Sequence, residues 1–98
     1  MELIPKEIKE QIPKLYETEE QTDPIVYVKL FLDGWTWYIT ELSTDKDICF
    51  GYVVSPFGRE LGYFSLEEIK SVRGALGLGV ERDVSFQPTP LKAIRNKI

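Results

Sequence analysis

The chain has 98 residues, 43% of them hydrophobic and 29% charged, and this predicts one globular domain over residues 1–98 with one modest core. The absence of histidine excludes a Ser-His-Asp or Cys-His nucleophilic site, a His-ligated metal and a histidine pH switch. The single cysteine, Cys49, excludes an intrachain disulfide and a cysteine zinc cluster, and the net charge of −4 disfavours binding to a polyanion.

The N-terminal segment, residues 3–20, is predicted to be helical. Ile8 and Ile12 lie one helical turn apart, and Pro13 should interrupt or kink the helix because it removes a backbone donor. An acidic segment, residues 17–23, follows. We interpret it as a solvated loop, with a docking surface for a basic partner as the alternative.

The stretch from Val26 to Ile39 predicts a β-hairpin. Asp33-Gly34 between two apolar runs is typical of a type I′ turn, which needs positive φ at both central residues. Because strand side chains alternate, a two-residue turn places one apolar set on one face, namely Val26, Val28, Leu30, Leu32, Trp35, Trp37 and Ile39. The opposite face collects Tyr27, Lys29, Phe31, Thr36, Tyr38 and Thr40. We expect the core on the apolar face.

A second hairpin is predicted around Ser55-Pro56-Phe57-Gly58, which matches a type I turn. We place Arg59 opposite Ser55, so that the connection has three residues. That register places an aromatic residue opposite each of two glycines, Tyr52 across from Gly62 and Tyr63 across from Gly51. Such a pairing offsets the weakness of glycine in a sheet.

A helix, a strand and a helix are predicted to complete the chain. Ser65 to Glu68 form a capping box, and the helix after it should direct Leu66, Ile69 and Val72 inward and end at Gly74. Residues 74–79 lack the spacing of a phosphate-binding loop and are interpreted as a flexible apolar connection. A fifth strand is predicted from Glu81 to Phe86, and a last helix from Thr89-Pro90 through Ile98.

This order predicts an α+β fold. The expected architecture is an antiparallel β-meander of four to five strands, with an N-terminal helix, a middle helix and a short C-terminal helix packed on one face of the sheet.

Several short segments occur in an order that resembles a known family: Pro13-Lys14-Leu15-Tyr16-Glu17-Thr18-Glu19, Trp35-Thr36-Trp37-Tyr38, Phe50-Gly51-Tyr52-Val53, Gly62-Tyr63-Phe64-Ser65-Leu66, Val72-Arg73-Gly74 and Glu81-Arg82-Asp83-Val84-Ser85-Phe86. Together they resemble the bacterial domain-of-unknown-function family 2958, small proteins of plasmids, integrative elements and phages. The resemblance covers nearly the whole chain. It implies a mobile-element context and supplies no catalytic residues.

One candidate site is the aromatic side of the first hairpin. Tyr27, Phe31 and Tyr38 share that side with Lys29. Aromatic rings on a sheet beside a cation could stack the bases of single-stranded nucleic acid. The alternative, which the negative net charge favours, is that helices cover this side and the rings belong to the core.

Phe57 and Arg59 are the candidate partner-binding residues. Both lie in or beside the predicted second turn, where neither has an evident structural role. An exposed aromatic residue with an arginine is a common recognition pair in protein interfaces. By contrast, Arg73 is placed at a helix C-terminus, where contact with the helix dipole explains it.

Two further candidates carry weaker signals. Glu81 and Asp83 would project from the same side of the fifth strand and could hold a divalent cation, but no third ligand lies at a recognisable spacing. Cys49 is interpreted as a buried apolar residue rather than a nucleophile.

These observations favour a non-enzymatic protein-interaction module of a mobile genetic element, binding a host or element-encoded protein. A single-stranded nucleic-acid binder and a small metal-dependent hydrolase are the alternatives. No cofactor is expected. No apolar run is long enough to span a membrane and no cleavable signal pattern is present, so we expect no membrane association and a cytoplasmic location.

Overall fold

The computed structural model describes residues 2–97, which form a five-stranded antiparallel sheet, a two-stranded sheet and three short helices. The elements in chain order are α1 (Lys6–Lys9), β1 (Ile25–Val26), β2 (Val28–Leu32), β3 (Trp35–Leu42), β4 (Ile48–Ser55), β5 (Gly58–Ser65), α2 (Leu66–Ser71), β6 (Glu81–Arg82), β7 (Thr89–Pro90) and α3 (Leu91–Arg95). The larger sheet has the order β5-β4-β3-β2-β6, and β1 pairs with β7 in the smaller one. The expected antiparallel meander is therefore present, in an α+β arrangement.

The predicted register of the first hairpin is confirmed, but its turn differs. Leu30 pairs with Trp37 and Leu32 with Trp35. Asp33 has a φ of 51°, whereas Gly34 does not adopt a positive φ, so the type I′ prediction is wrong. The turn is nevertheless closely packed at Gly34, because a Cβ there would stand 3.0 Å from the ring of Pro56.

The alternation of the first hairpin breaks at Tyr27, which lies between β1 and β2. Val26 belongs to β1 and pairs with Thr89 of β7, outside the larger sheet. The chain therefore changes direction at Tyr27, whose N–H still donates to the carbonyl of Ile39 (2.9 Å). As a result Val26 packs with Tyr38, and Tyr27 packs on the opposite side. The predicted faces of these two residues were wrong.

The sheet carries a hydrophobic cluster on each face. The first core contains the apolar hairpin face, α2 and N-terminal residues: Ile4, Ile12, Val28, Leu30, Leu32, Trp37, Ile39, Leu42, Cys49, Leu66 and Ile69. The second core joins α3 to the reverse face and contains Val26, Tyr38, Tyr52, Leu91 and Ile94. The prediction that all helices pack on one face was therefore wrong, because α2 and α3 cover opposite faces.

The register of the second hairpin also differs from the prediction. Ser55 pairs with Gly58 across a two-residue turn, so Gly51 lies opposite Gly62 rather than opposite Tyr63. Gly58 adopts a φ of 144°, which L side chains rarely adopt, and this lets β5 begin at Gly58, directly after the two-residue turn.

Four predicted elements are shorter than expected, including the C-terminal helix, which begins at Leu91 after the strand β7 and ends at Arg95. The N-terminal helix covers only Lys6–Lys9, and Pro13 lies beyond it in a series of turns. The middle helix ends at Ser71, which leaves Val72 exposed rather than inward. The strand β6 stops at Arg82, because Asp83 starts a turn in which its carbonyl accepts the N–H of Phe86 (3.1 Å).

The starts of α2 and α3 are held by side chains, in part from distant segments. The Ser65 hydroxyl accepts the N–H of Glu68 (3.2 Å), which confirms the serine half of the predicted capping box. Asp23 of the acidic segment accepts the N–H of Lys92 in α3 (2.8 Å). The last residue of the predicted C-terminal helix, Ile98, lies outside the described residues. None of the helices in residues 2–97 has the length and apolarity needed to span a membrane.

Cys49 is buried in the first core, and this yields a chemical prediction. Burial, followed by the charge of Asp47, raises the pKa of its thiol to about 12. Since only the thiolate attacks electrophiles, we expect native protein at about pH 8 to resist a maleimide, whereas urea-unfolded protein reacts at once. Mass spectrometry of the two samples measures this. Rapid labelling of the native chain would contradict the burial of Cys49.

Candidate functional site

Three loops meet at one end of the larger sheet. The Asp33-Gly34 turn lies against the Pro56-Phe57 turn, as the close approach of Pro56 to Gly34 shows. The loop after α2, residues 74–79, is called the glycine loop. It contacts the first turn, because the N–H of Ala75 donates to Oδ2 of Asp33 (3.3 Å). We call the exposed apolar side chains of these loops and the adjoining strand, Trp35, Phe57 and Leu76, the tip surface.

Local hydrogen bonds give two of these loops their shape. In the second turn, the Ser55 hydroxyl accepts the N–H of Phe57 (3.1 Å). In the glycine loop, the N–H of Gly74 donates to the carbonyl of Leu78 (2.8 Å), and Gly77 has a φ of 77°. A Cβ at Gly74 would stand 2.6 Å from Oδ2 of Asp33, so a side chain at this position would have to displace the Asp33 carboxylate.

The tip surface is strongly exposed and rests on the core. Phe57 is 90% exposed, Leu76 87% and Trp35 37%. The ring centroids of Trp35 and Phe57 are 6.3 Å apart, and Trp35 stacks on the buried Trp37 at 5.9 Å. Clusters of large exposed apolar side chains are typical of interaction sites.

Arg59, the second predicted partner-binding residue, is exposed at the start of β5, where it lies opposite Val54. Within residues 2–97 it forms no ion pair. Arg73 differs, since its Nη1 donates to the carbonyls of Lys70 (2.7 Å) and Val72 (2.9 Å). The predicted role of Arg73 at the helix C-terminus is confirmed.

The residues of the aromatic candidate do not form one open face. Tyr38 is buried in the second core, where burial raises the pKa of its hydroxyl. Lys29 lies 6.0 Å from the Tyr38 ring centroid and forms an ion pair with Asp83 (3.7 Å). Tyr27 packs against the first core, and Phe31 is exposed. The rings are therefore distributed over both faces.

The two candidate metal ligands lie at the β6 edge. Glu81 is exposed opposite Phe31. The carboxylate of Asp83 accepts the hydroxyl of Ser85 (2.6 Å), and this bond, together with the Ser85 N–H and Lys29, holds the pKa of Asp83 below its usual value. Residues 2–97 contain no group of three or more His, Cys, Asp or Glu side chains placed to hold a metal.

One buried carboxylate was missed from the sequence. Glu41 accepts the N–H groups of Tyr16 (2.8 Å) and Thr18 (2.9 Å), and also the Thr18 hydroxyl. It thereby ties the start of the acidic segment to β3, beside a groove of about 270 Å³. The signal in the sequence was a charge inside a strand, and a bulge between Ile39 and Glu41 turns Glu41 to this side.

The family comparison agrees with the resemblance noted from the sequence. A family model described as "Protein of unknown function (DUF2958)" matches residues 3–94. Neither the curated proteins nor the solved structures contain a significant match. Because the family model covers nearly the whole chain, this protein belongs to the DUF2958 family.

Proposed function

We propose that this chain is a cytoplasmic, non-enzymatic protein-interaction module of a mobile genetic element, and that its tip surface binds a host or element-encoded protein. One observation carries the proposal: Trp35, Phe57 and Leu76 are exposed together at one end of the sheet, on loops that hydrogen bonds hold in place. Trp35 stacks on the buried Trp37, so the surface has a rigid base.

The chemistry of the tip surface favours a protein partner. Aromatic residues and arginine are enriched among the residues that contribute most to protein interfaces. Arg59, exposed and without an ion pair in the described chain, suits a carboxylate at the rim of such an interface. Single-stranded nucleic acid is less suited, because the net charge is −4 and Lys29 already pairs with Asp83.

The proposal predicts that position 57 contacts the partner. A photo-crosslinking phenylalanine analogue at Phe57 should capture a defined bacterial protein, whereas the same analogue at Glu67, exposed on α2, should not. Phe57→Ser should reduce recovery of that protein at least about tenfold, as truncation of a central aromatic residue does. Arg59→Ala should weaken binding and reduce its salt dependence.

Thermal unfolding of both variants provides the control, because neither side chain is buried and both proteins should stay folded. Equal capture at positions 57 and 67 would contradict the proposal. So would submicromolar binding of a single-stranded oligonucleotide that is weakened by salt but unaffected by Phe57→Ser.

A further inference from the structure

The strand β5 leaves a long edge of the sheet open. It is the last strand of the larger sheet, and within residues 2–97 no strand pairs with its outer side. The opposite edge, β6, is only two residues long. Long unpaired edges are usually protected by charges, bulges or proline. In β5 the charges stop at Glu60, and the following Leu61 to Phe64 are uncharged.

The hydrogen-bond alternation identifies the backbone groups on this open edge. A two-residue turn makes Ser55 and Gly58 a hydrogen-bonded pair, so every second residue from Gly58 bonds to β4. The residues between them, Arg59, Leu61 and Tyr63, direct their N–H and C=O groups outward. In agreement, the carbonyl of Phe50, opposite Tyr63, faces β3 and accepts the Thr40 hydroxyl (3.1 Å).

We propose that β5 pairs antiparallel with β5 of a second copy of this chain, with the two Leu61 residues opposite each other at a two-fold axis. In this register Arg59 of each chain lies opposite Tyr63 of the other. All three outward-facing residues then form hydrogen-bonded pairs, and the two sheets join into one. This contact uses the side of the sheet and goes beyond the proposed function of its tip.

The side chains of β5 are complementary to themselves in this register. Leu61, 44% exposed, meets its own copy, and the 54% exposed ring of Tyr63 meets a guanidinium, which is a favourable cation–π pair. Phe64 lies opposite Gly58, which has open space around it, so that an aromatic ring covers a glycine.

Neighbouring registers are less favourable. Moving the axis by one residue toward the turn places Glu60 opposite Glu60, and like charges directly opposite each other destabilise a pair. Moving it by one residue the other way places Gly62 opposite Gly62, which leaves no side-chain contact at the axis. Charge and side-chain contact therefore both select the register centred on Leu61.

The test introduces charges of either sign at Leu61, the residue on the proposed two-fold axis. Sedimentation of the full chain should show, as concentration rises, a shift to twice the 11.3 kDa mass of one chain. Leu61→Lys and Leu61→Glu should each raise the dissociation constant at least about tenfold, because each places like charges opposite each other. Mixing the two variants should restore dimers, since opposite charges then meet. The same exchanges at Val84, which is 77% exposed and lies outside the tip surface, should leave association unchanged.

Amide hydrogen exchange gives a second readout that does not depend on any variant. The N–H groups of Leu61 and Tyr63 should gain protection as chain concentration rises, whereas that of Gly62, bonded to β4, should be protected throughout. A chain that stays monomeric, dimers that survive Leu61→Lys, or variants that fold but do not associate when mixed would each overturn the proposal. Dimers lost on Phe57→Ser but not on Leu61→Lys would place the contact at the tip and overturn it as well.

Discussion

Gly51→Ala should lower the free energy of unfolding by more than about 4 kcal/mol, a loss seen only for severe core changes. A Cβ at this position would stand 1.9 Å from the carbonyl oxygen of Tyr38 and 3.1 Å from the Cα of Ile39. Both are backbone atoms of β3, beside the bulge, and cannot move without separating two central strands. Since domains of this size are stable by about 5–15 kcal/mol, the variant should be close to unfolded.

The chain contains a matched control for this substitution. Gly62 lies directly opposite Gly51 on β5, and a Cβ there has nothing within 4 Å. Gly62→Ala should therefore be neutral or stabilise by up to about 1 kcal/mol, because alanine loses less backbone entropy on folding. Urea unfolding of both variants measures the difference. Similar stabilities for the two would show that β3 and β4 are not as close as described.

Trp37→Ala should lower the free energy of unfolding by about 3–5 kcal/mol, as truncation of a large core aromatic residue does. Trp37 is buried near the start of β3 and belongs to the first core, so its loss leaves a cavity in the core that α2 and the N-terminal segment share. Urea unfolding followed by circular dichroism measures this loss, since it does not depend on tryptophan emission.

Trp35→Ala is the control, because Trp35 stacks on Trp37 but is 37% exposed. Trp35→Ala should lower the free energy of unfolding by clearly less, on the order of 1 kcal/mol. A loss under about 1 kcal/mol for Trp37→Ala, the size of a surface substitution, would contradict the packing of Trp37 in the first core.

The two hairpins show when a sequence pattern can predict the register of a strand pair and when it cannot. In the first hairpin, apolar residues alternate along both strands, and this pattern predicts one register. A shift of one strand by one residue would move its whole apolar set to the opposite face. In the second, the two candidate registers differ by one residue at the turn. Gly58, with its φ of 144°, permits the shorter connection, in which it is the first residue of β5. The residues around the turn do not show whether Gly58 belongs to the turn or to the strand.

The candidate site was predictable only in part. The exposure of Phe57 and Arg59 follows from their turn, a local property, and both are indeed exposed. The sequence did not predict that Trp35 and Leu76 are exposed at the same end of the sheet as Phe57, because this depends on three loops distant in sequence. The contacts between Gly34 and Pro56 and between Asp33 and Ala75 bring those loops together.

The sequence by itself determined the elements that depend on near neighbours: the first hairpin and its apolar face, the serine cap of α2 and the absence of histidine chemistry. The tertiary structure decided which helix covers which face, where the alternation breaks at Tyr27, and that β5 is an edge strand of the sheet formed by residues 2–97. The physical reason is the separation along the sequence of the residues that interact. Turns, caps and alternation are set by residues a few positions apart, whereas the position of an element is set by packing between segments that only the folded chain brings together.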